Sequence, residues 1–197
     1  MTRTLYNLAM IRKATGDAAA AEAAVEQVLL RQRRELPDRH PSIGDTLAQL
    51  ARCRQRAEDF EAAEACYRQA IEIREHTFGA DAPESTVLHH DLGVMMLVAG
   101  SVERAPEELR ETHDRRRGAH GADHDYTITT GYALGAALLR LGQHVEAEPL
   151  LVAFQRRREQ RAGLDDPDCQ RCVQKLVELC EATGRPADAA AWRSKLR

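Results

Sequence analysis

Residues 40–81 read HPSIGDTLAQLARCRQRAEDFEAAEACYRQAIEIREHTFGAD. The stretch holds two amphipathic helical patterns split by a short polar turn, and the same pattern returns along the chain. Leu8, Leu50, Leu92, Leu134 and Leu176 stand 42 residues apart, and Ala21, Ala63, Ala105, Ala147 and Ala189 keep the same step. A third register reads Gly16, Glu58, Gly100, Gly142 and Gly184, glycine in all but one place. Self-similarity at a fixed period of about 20–50 residues is the signature of a solenoid or array, in which one unit buries its apolar face only by stacking on the next.

Outward from that stretch, the spacing predicts helices near 2–14, 18–35, 42–56, 60–76, 84–98, 102–117, 126–140, 144–161, 168–182 and 187–196. The links carry breakers and starters: Leu36 to Pro41, Phe78 to Pro83, His120 to His124. Pro106 predicts a late or bent start to its helix, and Pro149 lies a few residues into another. Phe60 and Tyr67 supply the larger packing groups of the second unit, and Trp192 is read as packing. The first unit begins almost inside its helix without the link and proline that open the others, and the last helix is short. An end without a polar cap implies either a segment of a longer array or self-association through the open face.

Composition narrows the function. The net charge is −3 and aromatic residues make up 4% of the chain, which suits thin layers of alanine and leucine and argues against nucleic acid. MTRTLYNLAM has no basic region followed by an apolar run, and no apolar stretch is long enough for a membrane span, so a cytoplasmic protein is expected. Cys169-x-x-Cys172 has no second such pair and no HxxxH on a helix nearby; the HxxxH spacing of His120 and His124 is broken by Gly121. No metal or other cofactor is expected, and the five cysteines read as buried reduced thiols. His89-His90-Asp91 has no nucleophile in a defined relation to it, and no phosphate-binding glycine loop follows a strand, so no catalytic residues are assigned and the chain is not expected to be an enzyme. Arginines cluster at the ends of second helices, at 31, 33 and 34, at 115–117 and at 156–158. The helix dipole favours cations there, by about 0.3–1 kcal/mol each.

The run L-x-x-L-A, then G, then E-A-A-E, A-I-E-I-R-E and F-G-A-D-A-P resembles the tetratricopeptide repeat, in the 42-residue form similar to the kinesin-light-chain type. The resemblance implies an all-α, right-handed α-solenoid of about five antiparallel helix pairs in one superhelical domain, with repeats at 1–39, 40–81, 82–123, 124–165 and 166–197. It also implies a concave groove lined by first helices, which in this family often holds an extended peptide through an Asn before the second Leu. Those positions here are Asn7, Gln49, Asp91, Ala133 and Lys175, so the backbone clamp is expected only at Asn7 and Gln49.

Laid on that groove, helical spacing gathers Arg3, Tyr6, Asn7, Met10, Lys13, Gln49, Arg52 and Arg56 into a basic, amide-bearing surface whose nearest acidic candidate in the same helices is Asp45. His90, Asp91, Val94, Leu97 and Tyr132 fall in an adjoining, more apolar stretch. The expectation is a non-catalytic scaffold or adaptor that binds a peptide or partner protein, gripped at an acidic anchor. The alternative is a regulatory or sensor segment of a larger signalling kinase, ATPase or protease.

Overall fold

The computed structural model describes residues 18–197; the helix expected near 2–14, with Arg3, Tyr6, Asn7, Met10 and Lys13, lies outside the described residues. Among the described residues the structure is all helical: α1 (Ala18–Glu35), α2 (Pro41–Arg56), α3 (Phe60–Phe78), α4 (Pro83–Val98), α5 (Ala105–His120), α6 (Asp125–Arg140), α7 (His144–Ala162), α8 (Pro167–Ala182) and α9 (Pro186–Arg193). The chain divides into two units, Met1–Ala99 and Gly100–Arg197. In the first, α1 packs on α2, α2 on α3 and α3 on α4. In the second, α5 packs on α6, α6 on α7, α7 on α8 and α8 on α9, and α8 also touches α6.

Local chemistry sets the helix ends. Pro41, Pro83 and Pro167 each occupy the first turn, where the missing N–H costs nothing. His40 Nδ1 accepts from the Ser42 N–H at 3.2 Å, and Asp166 accepts from the Cys169 N–H at 2.9 Å. At the other end Gly79, Gly121 and Gly163 donate their N–H to the carbonyls of Glu75, Arg117 and Glu159 at 2.9–3.0 Å, closing α3, α5 and α7. The prolines act as the sequence predicts. Helix α5 begins at Ala105 with Pro106 in its first turn, whereas α3 and α7, its equivalents, start at positions matching residue 102.

The repeat register is a burial register. Ala63, Ala105, Ala147 and Ala189 are fully inaccessible and Ala21 nearly so; Leu50, Leu92, Leu134 and Leu176 are buried with them. Small alanines let paired helices approach, and the leucines fill the layer between them.

The turn register has one instructive member. Gly100, Gly142 and Gly184 have φ of 80°, 71° and 69°, and Glu58, the exception to glycine, is held at φ 61°. Its side chain is exposed, so the left-handed backbone is a strain without a packing return. Glu58→Gly is expected to stabilise the first unit by roughly 0.5–1 kcal/mol, the relief of strain less the added freedom of the unfolded glycine. A raised midpoint in urea would show it; an unchanged or lowered one would mean the turn carries no such strain.

The arginine clusters are tied down. Arg33 donates to Gln69 at 2.9 Å, Arg115 to Glu111 at 2.6 Å, and Arg157 to Asp125 at 2.8 Å. Arg158 reaches both Asp166 and Asp168, and Arg116 is buried, donating to Thr130 Oγ1 at 2.6 Å and to the Tyr126 carbonyl. Arg33, Arg116 and Arg158 join one repeat to another, Arg157 ties the two helices of its own repeat, and Arg115 pairs within α5.

Candidate functional site

In the first unit, a cleft of about 250 Å³ opens between α2 and α4 above α3. Arg52, Gln55 and Arg56 line it from α2, Tyr67 from α3, and His90, Asp91 and Val94 from α4. Residues 52, 55 and 56 share a face by the i, i+3, i+4 spacing of a helix, and 90, 91 and 94 do so on α4. The repeat sets the two first helices side by side.

Tyr67 forms the floor and is 1% exposed. Its hydroxyl donates to Gln55 Oε1 at 3.3 Å. Burial, then the Asp91 charge, pushes its pKa up to about 12 against the pull of Arg52 and Arg56. Tyr67 is therefore a neutral donor over the physiological range. Burial and nearby acidic or ionisable groups likewise raise Tyr132 to about 12 in the second unit. A phenol whose folded pKa lies above its unfolded value near 10 contributes stability that is complete below about pH 10 and is lost as pH rises through about 12. Ultraviolet difference absorbance is expected to show both phenols ionising near pH 12 together with loss of helix. Ionisation of every tyrosine near pH 10 would contradict this burial.

Electrostatics alter the sequence expectation. Arg52 Nη2 donates to Asp91 Oδ2 at 2.7 Å, with side chains 35% and 25% exposed. Burial works against the Arg52 charge, but the hydrogen bond and charge of Asp91 outweigh it and hold its pKa above the usual arginine value. The charge of the expected basic surface is thus reduced: Asp91, from the next repeat, pairs with Arg52, while Asp45 pairs with Arg74 of α3. Arg52 is half-buried. Arg56 is exposed and, among the described residues, has no carboxylate partner.

Five of the expected groove residues meet here: Arg52, Arg56, His90, Asp91 and Val94. Gln49, a turn before Arg52, and Leu97, a turn beyond Val94, are half-buried on the same helices but do not line the cleft. Tyr132 belongs to the second unit, where its ring stacks on Phe154 with centroids 4.2 Å apart. Two lining residues were not anticipated. Gln55 is detectable by its helical spacing from Arg52; Tyr67 reads only as a packing residue, because the position of its hydroxyl depends on how α3 sits under α2.

Elsewhere, Cys66, Cys169, Cys172 and Cys180 are buried and Cys53 is half-buried, and none of the five is in a disulfide. Burial pushes the Cys172 thiol up to about 12. The His120 and His124 rings stack at 4.7 Å, with the His124 Nδ1 accepting from the Tyr126 N–H. Among the described residues no three His, Cys, Asp or Glu side chains are grouped to hold a metal. Among the same residues no helix is long and apolar enough to cross a membrane.

Comparison with known families matches the tetratricopeptide repeat at residues 1–76 and again at 129–153. The search of curated proteins finds no match. Among solved structures, the chain is similar to a Podosopora anserina protein with nearly identical, kinesin-light-chain, TPR-like repeats, at 22% identity and TM-score 0.80 over 98% of this chain and 92% of that one. It is similar to BtubC (BKLC) of P. vanneervenii, at 19% identity and TM-score 0.82 over 96% of this chain and 76% of that one. It is also similar to a plasmid-borne Rap conjugation gene regulator in complex with the Phr* peptide, at 14% identity and TM-score 0.65, with 95% of this chain matching 50% of that one. At these identities the structural likenesses carry the fold alone: an all-α solenoid of antiparallel helix pairs.

Proposed function

Because this chain belongs to the tetratricopeptide repeat family, we propose that it is a non-catalytic protein-interaction scaffold of the cytoplasm, taking a peptide or a segment of a partner protein in the cleft between α2 and α4. The observation that carries this reading is the convergence of Arg52, Gln55, Arg56, His90 and Asp91 from two successive first helices over one floor residue, Tyr67. The Rap relative, solved with a peptide, offers a parallel for the fold.

The cleft chemistry fits an extended segment with one acidic side chain. Arg56 supplies an exposed cation for that anchor, the Gln55 amide supplies donors, and Val94 gives an apolar contact beside them. The attraction weakens with salt, since Arg56 lies at the solvent-facing rim.

The test is capture of partners from the native lysate by wild type, by Arg56→Glu with Val94→Asp, and by Arg156→Glu in the second unit. Helicity of each is checked by circular dichroism. A partner retained by wild type and Arg156→Glu but lost by the cleft variant is the expected result. A partner held equally by all three would place binding outside the cleft.

A further inference from the structure

The cleft presents two arginines, and among the described residues Arg52 has a carboxylate partner and Arg56 has none. Arg52 spends its Nη2 donor on Asp91 at 2.7 Å, in a pair whose two side chains are both largely shielded from solvent. Arg56, four residues on, is exposed and among the described residues meets no carboxylate. Tyr67 takes the Gln55 carbonyl oxygen, and among the described residues the Gln55 Nε2 donors are left for a ligand.

We infer that Asp91 is the specificity-determining residue of the cleft, a built-in counterion that withholds Arg52 so that the site grips one carboxylate of a segment and gains no second contact from a doubly acidic one. This rests on the reading of the cleft as a site for an acidic anchor. The physical argument is one of competition. A second ligand carboxylate reaching Arg52 must displace Asp91 or lie beside it, and two like charges at that separation repel. Without the Asp91 charge, Arg52 would be a half-buried cation lacking its partner, and such a cation gains most from a new carboxylate. Arg52 and Arg56 are also i, i+4 neighbours, about 5–6 Å apart at their Cβ atoms, so a short dicarboxylate can span them. Position 91 thus converts a cleft able to grip two acids into one that grips a single acid.

Titration of the full chain with acetate and with glutarate, at constant ionic strength, tests this through the Nε–H signals of Arg52 and Arg56 in nitrogen–proton correlation spectra. Arg156, exposed in the second unit, reports non-specific anion contact. In wild type both anions are expected to shift Arg56 beyond Arg156 while Arg52 stays fixed, and glutarate is expected to bind no more than about twofold tighter than acetate, the statistical gain from two equivalent carboxylates at one cation. In Asp91→Asn, and in Asp91→Ala as a check on the amide, Arg52 is expected to shift with Arg56, and glutarate to bind about tenfold tighter than acetate through two contacts. Movement of Arg52 together with Arg56 in wild type, or no gain for glutarate in the variants, overturns the role of Asp91 and leaves the acidic-anchor site standing. If neither arginine moves beyond Arg156 in any of the proteins, the acidic-anchor reading itself falls and this inference falls with it.

Discussion

Leu92→Ala is expected to lower the free energy of unfolding by about 2–5 kcal/mol, the range for truncating a leucine that cannot be replaced by collapse of its neighbours. Leu92 has no exposed surface and sits in the middle of α4, at the fourfold-repeated leucine register of the described residues. The loss has two parts, the transfer of the removed methyl groups and the cavity left between helices already in close contact. Val98→Ala on the same helix provides the control, because Val98 is 62% exposed and its truncation should change stability by about 0.5 kcal/mol or less. Urea unfolding followed by circular dichroism separates the two outcomes. Equal midpoints for the two variants would mean that the 42-residue register does not define the core.

Ala63→Leu is expected to destabilise by about 1–3 kcal/mol through the opposite fault, overpacking. Ala63 is fully inaccessible on α3, and its equivalents Ala105, Ala147 and Ala189 are equally inaccessible. A leucine there must push α3 from its neighbour or adopt a strained rotamer, and interiors this dense yield to neither without cost. Glu61→Leu, two residues earlier at an exposed position, should be near neutral. Calorimetric melting of both variants beside wild type is the measurement. A Glu61 variant that loses as much as the Ala63 variant would put the small-residue contact elsewhere.

Among the described residues, periodicity alone determined the helices, their boundaries to within about three residues and the alternation of link and starter, because these depend on spacing, breakers and caps that act locally. The buried alanines and leucines were legible for the same reason: a residue kept at one step of a repeat faces the same neighbour each time. The same logic located Arg52, Arg56, His90, Asp91 and Val94 on the helix faces that line the cleft.

Only the tertiary structure decided what those residues do to each other. The pairing of Arg52 with Asp91 joins positions 39 residues apart, three short of the repeat, so no register in the sequence sets them opposite. It arises because stacking brings the Asp91 face of α4 within reach of the long Arg52 side chain on α2. The position of the Tyr67 hydroxyl under Gln55, the burial of Arg116 against Thr130 and the engagement of Asp45 by Arg74 have the same origin. A helical pattern states which face a side chain occupies. Which partner lies within reach is a matter of a few ångströms between packed helices, and at those distances charge and hydrogen bonding change from repulsive or idle to binding.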